Sequence, residues 1–253
     1  MKVRYFVVAL AAVSCLTRDS SAQTPSARDA EPYSRKNTFT VFGEYSNDSS
    51  HIVLGMTPDR KLAGIGAQYQ RRILDRPNFT LSYDAEFRPF IVSSDPAASY
   101  YYTLCSQGTC ESYSGGTSVV PKCGAGTFTF SVDVPTGSPP ETGTETIICS
   151  RQQTIAQGGS PIGLRITLMP RRPLQLTISS NGGYMYSTKP IPIPGAGSFN
   201  FTFNFGGGLE YFYKPYRSIR LEYFVQHYSN SFTAPQNPGV DSGFIRLAYA
   251  FGR

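Results

Sequence analysis

Tryptophan is absent from this chain of 253 residues, and histidine occurs only twice, at His51 and His227. Any chemistry that needs an imidazole therefore has two possible homes. Beyond the first two dozen residues there is also no apolar run long enough to cross a bilayer as a helix, which takes about 20 residues. That lack leaves a strand-built membrane protein open, because lipid-facing residues in such walls alternate with polar ones. Charge is sparse, with 23 Lys and Arg against 17 Asp and Glu. Lys2 and Arg4 supply part of the excess, and what remains gives no case for a nucleic-acid partner. A basic barrel can still favour anionic lipid head groups.

The N-terminus has the pattern of an export signal. Lys2 and Arg4 precede an apolar stretch from Tyr5 to Val13, and Ser20-Ser21-Ala22 offers small residues for cleavage after Ala22. Residues 1–22 are expected to be a signal peptide and 23–253 a single domain. Cys15 after Ala12-Val13-Ser14 faintly resembles a lipoprotein site. The other four cysteines, Cys105, Cys110, Cys123 and Cys149, make an even count in an exported chain. They are expected to form two disulfides, whose pairing the sequence leaves open, rather than a zinc site.

Residues 23–37 are polar and irregular and read as a tail. Eight strands are expected after them, near 38–46, 61–72, 78–92, 162–170, 174–187, 199–213, 217–229 and 242–251. The two-residue period is clearest where Phe199, Phe201, Phe203 and Phe205 alternate with Asn200, Thr202 and Asn204. The first strand is less regular, because Phe42 falls on its polar side. Residues 93–161 hold four cysteines among many Gly, Ser, Thr and Pro residues. This segment is expected to be a long loop insertion, with hairpin strands at 127–133 and 145–153.

Alternation alone does not say which face is inside. A lipocalin-like soluble barrel would turn its phenylalanines inward around a ligand, and a membrane barrel would turn them out to lipid. Short turns at 75–77, 171–173 and 214–216 alternate with long connections, a habit of outer-membrane barrels. The polar face is rich in Gly, Thr, Ser, Asn and Gln, residues that can fill a narrow lumen. The expected fold is therefore all-β: an eight-stranded antiparallel up-and-down transmembrane barrel. Gly206-Gly207-Gly208 in mid-strand is expected to allow close packing or a bend.

His51 falls in the first loop with no nucleophile at strand spacing. His227, in Gln226-His227-Tyr228-Ser229-Asn230, shares a strand face with Ser229, because residues two apart point the same way. In the membrane reading that face meets lipid. Asp241 opens the next strand on the parity of Ile245, Leu247 and Tyr249, and antiparallel pairing can bring it to His227. The set reads as Ser229 nucleophile, His227 base and Asp241 orienting acid.

The segment His227-Tyr228-Ser229-Asn230, followed by Asn237-Pro238-Gly239 and Asp241, resembles the signature of the outer-membrane lipid A 3-O-deacylases (PagL type). The resemblance covers about the last 30 residues. It implies an eight-stranded barrel whose site lies on the outer surface and which removes the ester-linked acyl chain at position 3 of lipid A. It also implies Asn237 as a side-chain oxyanion donor and a backbone N–H at Phe232 as a second. No metal or organic cofactor is implied. The implied partners are lipopolysaccharide and the outer membrane, with pairing of barrels as homodimers left open. Two features depart from the pattern: Asp241 stands where the family has Glu, and 93–161 is additional. A non-catalytic barrel is the alternative reading.

Overall fold

The computed structural model describes residues 33–46, 49, 52–106, 108–132 and 141–253. The proposed signal peptide, Cys15 and His51 lie outside these residues. Ten strands run in chain order: β1 (Asn37–Ser46), β2 (Lys61–Asp75), β3 (Phe79–Ser106), β4 (Thr109–Val119), β5 (Gly126–Val132), β6 (Glu141–Leu168), β7 (Leu174–Ser187), β8 (Phe199–Lys214), β9 (Arg217–Ser229) and β10 (Val240–Gly252). All pair antiparallel. β1 bonds to both β2 and β10, and β3 bonds to β6, so eight of the strands close on themselves as a barrel.

Most of the described part of the 93–161 insertion is strand. β3 and β6 each run for 28 residues and stay paired far beyond the wall. Roughly 9–11 residues suffice to cross a bilayer in a barrel, so most of this ribbon projects past it. β4 and β5 add to its two edges, β4 on β3 and β5 on β6. The expected hairpin strands fall on β5 and within β6. One disulfide, Cys105–Cys110, clamps the β3–β4 turn, and the other, Cys123–Cys149, ties the β4–β5 connection to β6.

The side chains sort by parity. On β8 Phe199, Phe201, Phe203 and Phe205 are exposed, and Asn200, Thr202 and Asn204 between them are buried. β9 and β10 repeat the pattern with Ile219, Leu221 and Tyr223, and with Ile245 and Leu247, facing out. A closed wall leaves no unpaired backbone, and its apolar outer belt suits hydrocarbon. The lipocalin-like alternative fails on this arrangement: the alternating phenylalanines of β8 point outward, and the lumen is filled by side chains.

An ionic network fills the lumen. Arg246 bonds Glu44 at 2.8 Å and Glu86 at 2.6 Å, Arg88 bonds Glu44 at 2.8 Å and Glu86 at 2.7 Å, and Arg165 joins Glu222 at 2.5 Å. Phe42, the residue that broke the first strand's alternation, belongs here. Its ring lies 3.9 Å under the Arg246 guanidinium, and Gly66 makes room for it, since a Cβ there would stand 2.4 Å from Phe42 Cζ. Replacing Arg246 by Leu removes one of the two cations that Glu44 and Glu86 share and leaves them with Arg88 alone. The expected cost is about 3–5 kcal/mol, read as a lower temperature at which the folded band is lost in heat-modifiable gel migration.

At the turn end, residues 33–36 are not a free tail. Arg35 reaches Ser218 at 2.9 Å and pairs with Glu210, and Gln175 donates to Tyr33 O at 2.7 Å. At the opposite end the lumen turns apolar: Leu62, Ile91, Ala156, Met185, Phe224, Tyr228, Val240 and Phe244 pack together. Phe224 and Phe244 stack with centroids 5.3 Å apart. The mid-strand glycines bring strands close, as expected: a Cβ at Gly206 would meet Tyr223 O at 2.3 Å, and one at Gly207 would meet Thr177 O at 2.4 Å.

Candidate active site

The apolar plug at the loop end fixes the wall beneath the candidate site. Val240 and Tyr228 pair across β10 and β9 and are both fully buried, facing inward. The next pair, Asp241 and His227, stands directly opposite in register and points the other way, out of the barrel. His227 Nδ1 lies 2.6 Å from Asp241 Oδ1. Because the two residues are cross-strand partners, a side chain as short as Asp spans the gap. The missing methylene relative to Glu thus costs no contact with the imidazole.

The second carboxylate oxygen is occupied from elsewhere. Asp241 Oδ2 accepts N–H bonds from Ile52 at 3.0 Å, Val53 at 2.5 Å, Leu54 at 2.9 Å and Gly55 at 2.9 Å, all in the β1–β2 connection. Consecutive N–H groups converging on one anion form a nest, and they favour the ionised acid. The connection is fastened below by Met56 N donating to Pro238 O at 3.0 Å and Thr57 Oγ1 donating to Gly239 O at 2.6 Å. Gly239 has a φ of 61°, and a Cβ there would stand 3.2 Å from His227 Cε1. The glycine both makes the turn and leaves the ring its space.

Ser229, the last residue of β9, shares the outward face of His227 two positions on and is partly exposed. Among the described residues no hydrogen bond joins it to the ring. With Nδ1 taken by Asp241, Nε2 is the nitrogen left for a hydroxyl. Asn237 Oδ1 accepts the Asn230 N–H at 3.0 Å, which leaves the amide Nδ2 as a donor.

The backbone N–H expected as a second donor has a partner within the turn. The Phe232 N–H donates to Asn230 Oδ1 at 2.9 Å and is used inside the turn. Ser231 and Phe232 both have positive φ, 50° and 60°, so the chain reverses tightly here. Asn230 is the organiser that sequence reading left without a role. It is buried, and its Nδ2 donates to Gln236 O at 2.7 Å and also to Ala196 O in the β7–β8 connection. The β1–β2 nest also escaped sequence reading. Its one signal was the apolar run Ile52-Val53-Leu54 with Met56 in a connection between strands.

Among described residues no group of His, Cys, Asp and Glu is placed to hold a metal ion. The arrangement can position a charged acid, an imidazole and a hydroxyl on the outer rim of the wall, beside an amide donor.

Comparison with known proteins bears on the family. Residues 125–250 match the family model described as Lipid A 3-O-deacylase (PagL). Comparison with curated proteins found no match. Among solved structures, the outer membrane enzyme PagL aligns at 10% identity and a TM-score of 0.44, covering 86% of this chain and 99% of that one. Neisserial surface protein A aligns at 7% identity and a TM-score of 0.40, covering 86% and 97%. LpxR from Salmonella typhimurium aligns at 7% identity and a TM-score of 0.25, covering 85% and 100%. The matched segment starts at β5 and contains His227, Ser229, Asn237 and nearly all of β10, and over these residues, 125–250, the chain belongs to the lipid A 3-O-deacylase (PagL) family.

Proposed function

We propose that the protein is an outer-membrane ester hydrolase that removes the acyl chain at the 3-O position of lipid A, using Ser229, His227 and Asp241. The observation that carries this reading is the His227–Asp241 pair at 2.6 Å on the outside of the wall. The lumen already balances its own charges, and the β1–β2 backbone needs only the second oxygen of Asp241, so the imidazole on the first oxygen has no structural task there. A substrate embedded in the leaflet reaches such a rim laterally, without entering the barrel.

His227 Nε2 takes the Ser229 proton as Oγ bonds to the ester carbonyl carbon, and the carbonyl electron pair moves onto oxygen. Asn237 Nδ2 donates to that oxyanion. The intermediate collapses with cleavage of the ester C–O bond, and the departing sugar hydroxyl takes the proton from His227. A water molecule, deprotonated by His227, then attacks the acyl-enzyme. The fatty acid leaves and Ser229 recovers its proton.

Purified protein in detergent, mixed with lipid A, is expected to release a 3-hydroxy fatty acid detectable by gas chromatography. Asn237→Ala lowers kcat by about a hundredfold to a thousandfold. Release by a folded wild-type barrel that is no faster than the blank would overturn the assignment. Homodimer formation is a separate part of the proposal, to be read from sedimentation in the same detergent.

A further inference from the structure

The β1–β2 connection is more than a support for Asp241. Ile52, Val53, Leu54 and Met56 are 46%, 57%, 73% and 65% exposed. Four large apolar side chains in one short connection gain nothing from water. Yet the backbone that carries them is tied down, through four N–H bonds to Asp241 and the ties to Pro238 and Gly239. Backbone faces the acid, and side chains face away from it. Gly55 is what allows the approach: a Cβ there would stand 2.3 Å from Asp241 N and 2.9 Å from Asp241 Cγ. The segment that carries the apolar side chains lies beside the reacting groups: Leu54 O and His227 Cε1 stand 3.7 Å and 3.2 Å from a Cβ built on Gly239.

We infer that Ile52–Met56 is an acyl-binding lip, which takes the apolar chain of the ester while its backbone holds the triad acid in place. The inference rests on the esterase reading. It gives a reason for Asp at position 241, since a longer acid would drive its carboxylate into the backbone at Gly55. One segment thus couples chain recognition to orientation of the imidazole: Val53, Leu54 and Met56 act through the substrate, and Gly55 acts as a positioning residue through Asp241.

The test uses the full-length barrel in detergent and two alkyl fluorophosphonates, one butyl and one dodecyl. In this reaction Ser229 Oγ bonds to phosphorus, fluoride leaves, and the serine proton passes to His227. The double variant Val53→Ser/Leu54→Ser keeps every N–H of the nest, and its dodecyl-to-butyl rate ratio is expected to fall about tenfold. Gly55→Ala is expected to slow both probes alike. Heat-modifiable migration checks that each variant is folded, and Leu54→Ser alone, with a smaller drop in the same ratio, serves if the double variant fails to insert. An unchanged ratio in a folded variant overturns the lip and leaves the esterase standing. A wild-type barrel labelled at Ser229 by neither probe overturns the esterase reading, and the lip with it.

Discussion

Replacing Ser229 by Ala lowers the rate of acyl release from lipid A by about 10⁴-fold to 10⁶-fold, leaving the barrel intact. The size of the loss follows from the nucleophile's role, since no other hydroxyl stands two residues from His227 on the outward face. Stability is spared because the side chain is partly exposed at the end of β9 and none of its atoms takes part in the lumen network. Release of 3-hydroxy fatty acid by the purified variant, compared with wild type at equal heat-modifiable band intensity, checks this. A variant within tenfold of wild type would remove Ser229 from the mechanism.

Asp241→Asn is expected to cost about 10⁴-fold in kcat, for a reason specific to this site. The four N–H groups of residues 52–55 all point at one oxygen of the acid. An amide placed there gives its single oxygen to the nest and turns its NH₂ toward His227 Nδ1. The imidazole must then accept at Nδ1 and carry its proton on Nε2, where it can no longer take one from Ser229. Folding should survive, because the shape is unchanged. The check is kcat of the purified variant at saturating lipid A, and a loss below tenfold would show that the acid does not set the tautomer.

Much of the wall could be read from residues two apart. β7 and β9 begin and end at the expected residues, and the others differ at their ends. The strands of the long segment were only partly legible, for a physical reason. In the projecting ribbon the alternation continues, with Tyr100, Tyr102 and Leu104 on one face and Ser99, Tyr101 and Thr103 on the other. Its Gly, Ser and Thr content resembles a loop because neither face is covered by a core. The disulfide pairing needed coordinates, since four cysteines allow three pairings. Phe42 broke the pattern because an inward phenylalanine is welcome where an arginine lies over it.

In the site, the pairing of His227 with Asp241 followed from parity and antiparallel register. The backbone nest could not, since it depends on how a connection distant in sequence folds over β10. Nor could the engagement of the Phe232 N–H, which is settled by Asn230 in a turn of left-handed residues. Sequence patterns report which face a side chain takes. They carry little about which backbone donors are already spent.

The mass spectrum of lipid A extracted from outer membranes of cells making this protein tests the central claim most directly. The account predicts a new species lighter by one ester-linked 3-hydroxyacyl chain, lost from position 3, and its disappearance when Ser229→Ala is made instead. An unaltered spectrum from membranes that hold the inserted, folded wild-type barrel would contradict it.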